Sequence, residues 1–445
     1  MKNPAPNPET VSAWLGLGLM LVLFPPIQGQ PSPSRNDEFL LGNTRCRLSG
    51  PYRQANLTVF LIHGRDTLTG KNALTLQEAL QRNKAIVHET GEVNQLSIEN
   101  QSREDDIFIQ AGEIIKGGMQ DRAIAMDLIL PPRSGKVPIT VWCVEAGRMH
   151  RRGKEDDTRF NSATTVLATR ELKLAAMYSG DSLVFHPGSR RGLAGFRVGG
   201  GIPVEEGFQG GGFQGFQGFH GGLLSFQGGG FQGDIGGLGG LAGLGGLGGG
   251  IGGFGGGGFQ GQVWAKVSST QKLLGKSLGK PVIPASSHTS LQLTLEEKAV
   301  GETVADYNTP LSRILANKAD VIGFAYAVNG KMSGADVYAS AALFKKLWPK
   351  LLHASAVEAI AERKKEKSAP VSVNDVRAFL TEAIARPVYV NAVNRRIQML
   401  ERESEHTLLF ETRDSACQKL IIHRCYLARP PDEKPGKVSD EDPEA

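Results

Sequence analysis

The chain has 445 residues, of which 40% are hydrophobic and 21% charged, so it is long and apolar enough to bury a sizeable core. A formal net charge of +5 over that length excludes nucleic-acid binding driven by bulk charge, which needs lysine and arginine gathered on one face. Its two basic clusters, Arg148 to Lys154 and Arg363 to Lys367, carry no interleaved aromatic residues for base stacking and read as solvated surface.

In chain order, residues 1–29 read as a signal peptide: Lys2, an apolar run from Ala13 to Phe24, then Pro25, Pro26 and Gly29. The run falls short of the roughly 20 residues that span a bilayer, so a membrane is expected only during export, and the expected location is periplasmic, cell-surface or extracellular. Export would place Cys46, Cys143, Cys417 and Cys425 in an oxidising compartment. Lys419 to Leu427 reads as a strand, and extended chain holds Cys417 and Cys425 beyond the roughly 7 Å limit between bridged α carbons.

Residues 36–191 read as a β-rich half. Short apolar runs recur at Leu57 to Ile62, Ala85 to His88, Val93 to Glu99, Ile107 to Gln110, Ala123 to Leu130 and Val137 to Val144, and period-two alternation in several predicts a sandwich or open barrel. Thr75 to Leu80 is the helical interruption. Residues 192–261 carry more than half of the 57 glycines and six copies of Phe-Gln-Gly, starting at Phe208, Phe213, Phe216, Phe226, Phe231 and Phe259. Such a stretch has too little side-chain mass to offset its lost backbone entropy and reads as a disordered insert.

Residues 262–429 read as an α+β half. Thr309-Pro310 marks a helix start, and Asn329-Gly330 a hairpin turn between Val321 to Val328 and Lys331 to Tyr338. Leu343 to Leu351 gives a helical stripe broken or restarted at Pro349, and Ser372 with Asp375 forms a capping box. A second hairpin joins Thr407 to Thr412 with Lys419 to Leu427, and 430–445 reads as a disordered tail. The fold class expected is α+β, a β-rich sandwich-like first half and an α+β second half interrupted by the glycine insert.

Gly64 to Asn72 resembles a phosphate-binding loop, but its glycines stand one residue too far apart and Asn72 replaces the Mg²⁺-coordinating hydroxyl. Leu61-Ile62-His63-Gly64 has the look of a hydrolase strand end, and Gly275 to Gly279 spells G-x-S-x-G without the buried strand that motif needs. No histidine pair has metal-ligand spacing, so neither metal nor cofactor is expected.

Gly112 to Arg122, with Gly117-Gly118 ahead of Gln120-Asp121-Arg122, joins a tight turn to a carboxylate and a guanidinium, groups that orient a polar or anionic ligand. Cys143 to Arg148 follows it. From these come the candidate acid/base residues Glu113, Asp121 and Glu145 and the ligand-binding candidates Gln120, Arg122 and Arg148. A structural turn and ion pair account for the same residues, and Cys143 reads as a small buried hydrophobe.

These blocks, with Leu74 to Leu80, Glu89 to Val93 and Gly330 to Trp348, resemble the domain named for its association with ADP-ribosylglycohydrolase and rhodanese-phosphatase proteins. The resemblance covers roughly residues 50 to 360 apart from the glycine tract. It implies at most a link to ADP-ribose or nucleotide-derived ligands, and it carries over no catalytic residue. The expected function is an exported domain that binds a small polar or anionic ligand or a protein partner, with no nucleic acid. The alternatives are a hydrolase of a nucleotide-like or sugar-phosphate ligand, and a surface scaffold that self-associates through Phe-Gln-Gly.

Overall fold

A computed structural model describes residues 38–68, 73–92, 94–148, 160–179, 182–183, 259–366, 368–417 and 420–430. Met1–Pro187 and Gly256–Ala445 form one unit and Gly188–Gly255 a second. The apolar run Ala13 to Phe24, residues 192–258 of the glycine tract and residues 431–445 lie outside the described residues.

The first half of the larger unit is mostly strand: β1 (Phe39–Leu41), β2 (Thr44–Gln54), β3 (Leu57–Gly64), β4 (Leu74–Thr75), α1 (Leu76–Gln81), β5 (Ala85–Glu89), β6 (Gln95–Asn100), β7 (Ile107–Ile109), β8 (Glu113–Gly117), β9 (Arg122–Ile124), β10 (Leu128–Leu130), β11 (Lys136–Cys143), β12 (Phe160–Leu167), α2 (Arg170–Met177), β13 (Tyr178–Ser179) and β14 (Ser182–Leu183). The second half mixes helices and strands: α3 (Phe259–Leu278), α4 (Leu291–Glu296), α5 (Lys298–Ser312), β15 (Val321–Val328), β16 (Lys331–Tyr338), α6 (Ala341–Ala361), α7 (Val373–Glu382), β17 (Tyr389–Ala392), β18 (Ile397–Glu403), β19 (Thr407–Asp414) and β20 (Leu420–Ala428). The fold is therefore α+β, with a β-rich first half and an α+β second half.

The halves are interleaved. One nine-stranded sheet runs β1-β2-β3-β15-β16-β20-β19-β18-β17, so strands from both sides of the glycine tract share it. The remaining strands of the first half form a six-stranded sheet, β12-β8-β9-β11-β6-β5, a three-stranded one, β10-β7-β4, and the two-stranded pair β13-β14. The run Leu57 to Ile62 thus leaves the first-half sandwich that its alternation predicts. All of β3 but its last residue is buried, and a strand covered on both faces needs a second pairing edge, which β15 supplies antiparallel from Val321↔His63 to Val328↔Leu57. The run Ala123 to Leu130 is likewise two short strands in different sheets rather than one.

Local signals hold where their chemistry is local. Thr75 and Ser372 both close capping boxes, on Glu78 and Asp375. Asn329 and Gly330 take φ of 49° and 71°, the paired positive values of a tight hairpin turn. The two prolines do not hold as helix signals: Pro310 lies inside α5, and α6 continues through Pro349. Packing outweighs the lost hydrogen bond in α6, which is buried on nearly every side, including Phe344, Leu347, Trp348, Leu351 and Val357. Phe324 of β15 stacks on Phe344 at 6.4 Å and meets Trp348 edge-on at 5.4 Å, tying this helix to the shared sheet. Among the described residues no helix is long and apolar enough to cross a membrane.

Candidate functional site

The Gly117-Gly118 turn forms as its sequence predicts, with φ of 116° and 57°. A Cβ on Gly118 would lie 2.3 Å from the Phe160 ring and 2.5 Å from Glu89 Oε1, so only glycine fits. Beyond the turn, at the entry to β9, Asp121 and Arg122 join different groups. Asp121 joins Glu145 and Arg148: Arg148 Nε donates to Glu145 Oε2 at 2.7 Å, and its Nη2 stands 3.4 Å from Asp121 Oδ1. Nη1 of the same guanidinium donates to the Gly118 carbonyl at 2.9 Å. Ser287 Oγ donates to Glu145 Oε1 at 2.6 Å and Ser290 Oγ to Asp121 Oδ2 at 3.3 Å. Asp121 and Glu145 have no exposed surface and Arg148 has 8%.

Gln120 and Arg122 form a separate group. Arg122 Nη1 donates to Gln120 Oε1 at 2.9 Å, the Cys143 thiol donates to the same oxygen at 2.9 Å, and Arg122 Nη2 lies 3.8 Å from Glu89. Burial pushes the Cys143 thiol up to about 11, against the pull of Arg122, so it stays protonated. Glu113 stands apart from both groups. It accepts from Lys350 Nζ at 2.7 Å and from the Gln110 N–H at 3.0 Å, while Lys350 also donates to Ser162 at 2.9 Å. The structure thus brings Asp121, Glu145 and Arg148 together, sets Gln120 with Arg122, and places Glu113 against α6.

A different place is open. A cavity of about 470 Å³ lies where the two halves meet, with Glu104, Asp105, Asp106, Arg396, Asp414 and Cys417 on its polar side and Phe108, Ile129, Leu343 and Ile422 among its apolar walls. Arg396 clasps the seam there. Its Nη1 and Nη2 donate to the two oxygens of Asp106, both at 2.9 Å, and its Nε and Nη2 donate to Asp414 at 2.9 and 2.8 Å. Burial alone would raise the Asp414 carboxyl, but the bonds from Arg396 hold it below the usual range. The Lys84 ammonium and the Ser102 hydroxyl likewise hold Asp105 low.

Behind the wall of this cavity, Phe108 meets the rings of Tyr338 and His423 edge-on at 6.3 and 6.1 Å. His423 is a clamp across the halves: Nδ1 bonds Asp127 at 2.6 Å and Nε2 bonds Asp336 at 3.0 Å. Burial would lower this imidazole, yet the two carboxylates push it up to about 9, so it is a buried imidazolium between two anions. Thr412 and the Ala111 N–H complete Asp127, and Gln110 bridges Asp336 to the Tyr338 hydroxyl. A void of only about 20 Å³ adjoins Asp336 and Lys173, room for one water and no substrate.

Sequence reasoning missed Arg396, Asp106 and Asp414, which no motif links. The one signal was indirect: Leu68, within the segment spelled like a phosphate-binding loop, and Ala73, just after that segment, line the cavity. Residues 45–185 and 255–427 match the family model described as ARG and Rhodanese-Phosphatase-superfamily-associated Protein domain, ARPP-1. Comparison with curated proteins and with solved structures gives no match.

Proposed function

From the premise that this chain belongs to the family whose model it matches over most of its length, we propose that it is a ligand-binding domain acting outside the cytoplasm, and that its ligand enters the seam cavity. The observation that carries this reading is the cavity itself, which has the size and the mixed polar and apolar walls of small-molecule sites. Four carboxylates line it against one guanidinium, which is already held by two of them. That balance favours a neutral polyhydroxylated or cationic ligand over a phosphate-bearing one such as ADP-ribose, the class suggested by the ADP-ribosylglycohydrolase association.

Action outside the cytoplasm rests on the Ala13 to Phe24 run, and the thiols are compatible with it. Three of the four cysteines, Cys46, Cys143 and Cys425, are buried. Burial pushes Cys46, like Cys143, up to about 11, leaving a protonated, unreactive thiol.

A thermal-shift screen tests the charge preference. A ligand at about a hundred times its dissociation constant stabilises the folded state by about 2.7 kcal/mol, a shift of several degrees. Ammonium-bearing and polyhydroxylated compounds are expected to raise the melting temperature and phosphate esters to leave it unchanged. Shifts confined to phosphate esters would overturn the reading.

A further inference from the structure

The strand end that the sequence marked as Leu61 to Gly64 carries a chain of hydrogen bonds no motif predicts. His63 is 3% exposed. Its Nδ1 lies 2.9 Å from Asp320 Oδ1 and its Nε2 lies 2.7 Å from Ser49 Oγ. The second oxygen of Asp320 is held by Arg47 at 2.6 Å. The topology makes this arrangement: Arg47 pairs with His63 across β2 and β3, Ser49 is two residues on along the same face, and Asp320 enters just before β15, where Val321 pairs with His63 from the other side.

The partners settle the tautomer. A carboxylate only accepts, so the ring proton of a neutral imidazole sits on Nδ1, and Nε2 is left to accept the Ser49 hydroxyl proton. His63 is held below its usual value, chiefly by burial and against the pull of Asp320, which keeps the ring neutral, with Nε2 able to accept a proton. Ser49 is partly exposed, and the Asp320 side chain is 48% exposed. Gly50, at φ 118°, begins an irregularity in β2 that returns the Tyr52 hydroxyl to 3.4 Å from Ser49 Oγ.

We propose that Ser49, His63 and Asp320 form an acyl-transfer site for small carboxylic esters, with Ser49 the nucleophile, His63 the general base and Asp320 the residue that positions the imidazole. Ser49 Oγ bonds to the ester carbonyl carbon as its proton passes to His63 Nε2, and the Tyr52 hydroxyl is the donor at hand for the carbonyl oxygen as it gains charge. The resulting imidazolium is stabilised through Nδ1–H by Asp320. The carbon–alkoxide bond then breaks, with the Nε2 proton going to the departing alcohol, and an acyl-Ser49 remains. Water, giving its proton to Nε2, attacks that acyl group, and the carboxylic acid leaves as the proton returns to Ser49 Oγ. The reaction consumes ester and water and needs no other reactant.

A purely structural chain would tie β2, β3 and β15 together without activating the hydroxyl. Full-length protein treated with a fluorophosphonate, and separately with p-nitrophenyl acetate, distinguishes the two. The expected result is stoichiometric phosphonylation of Ser49 by peptide mass, with ester turnover at least a hundred-fold lower in Ser49→Ala and in His63→Asn. Melting curves identify any variant that has lost its fold, and labelling of the unmodified protein decides the matter without variants. Absence of label on Ser49 in folded protein, or ester turnover unchanged in a folded Ser49→Ala, would overturn the proposal. Neither outcome bears on the seam cavity, which none of the three residues lines.

Discussion

Two arginines of this protein each stand between two carboxylates, and what separates them is access. Arg148 holds Glu145 and Asp121, both without exposed surface, and two serines and the Gly118 carbonyl take up bonding positions around them. Arg396 holds Asp106 and Asp414 just as tightly, but with its side chain 16% exposed at the wall of a cavity of about 470 Å³. Similar charge patterns therefore serve two ends. A guanidinium closed in by its partners fixes a turn, whereas one beside empty space gives shape and charge to a place a ligand can fill.

The comparison breaks most visibly if Arg148 is removed. Arg148→Ala removes a buried guanidinium bonded to two interior carboxylates, and the expected loss is about 3–5 kcal/mol, read as a lower denaturation midpoint, with ligand affinity unchanged in protein that remains folded. A loss below about 1 kcal/mol would mean that water reaches the pair.

Glu401 is the limiting case, a buried carboxylate with no cation among the described residues. Asn391 donates to one of its oxygens at 3.2 Å, and the other has no hydrogen-bond partner among the described residues. Burial pushes this carboxyl from 4.5 up to about 7, with Asn391 pulling slightly the other way. Because the folded value is the higher one, the native state keeps a proton that the unfolded chain releases. Stability from this group is therefore full below pH 4.5, falls as pH rises to about 7, and is flat above that. The fall amounts to about 3 kcal/mol at most, and Glu401→Gln should remove it. Identical pH profiles for the two proteins from urea unfolding would contradict this.

Arg396→Met should have a smaller effect on stability, about 1–2 kcal/mol, because its partners can gain water from the cavity. Its effect on binding should be larger in proportion, since the walls lose both a charge and the link between halves. An unchanged affinity with a large loss of stability would place Arg396 with Arg148 as a purely structural residue.

How much of this the sequence could reveal follows from distance along the chain. The capping boxes at Thr75 and Ser372 and the Asn329-Gly330 turn are readable because each is decided within a few residues. The pairing of β3 with β15 is not, because it joins strands on either side of the glycine tract and leaves no local mark. At the candidate residues, Gly117-Gly118 correctly announced a sharp turn next to Asp121 and Arg122. Spacing could not say whether those charges face water or one another, because burial depends on where Ser287, Ser290 and Arg148 arrive. Asp106, Arg396 and Asp414 meet only in three dimensions, as do Ser49, His63 and Asp320, and only His63 lay in a segment that drew notice.

The account stands or falls on the seam cavity as the place where ligand binds. Ala73 lines that cavity and takes no part in the Arg396 clasp, and a phenyl group there is expected to reduce the space open to a ligand. The direct measurement is a calorimetric titration of the best-stabilising ligand from the screen into the unaltered protein and into Ala73→Phe, with both melting curves recorded. The account predicts at least ten-fold weaker binding to Ala73→Phe, a cost of about 1.4 kcal/mol, at a melting temperature within a few degrees of the original. Equal affinity in the two folded proteins would contradict it and place the ligand elsewhere.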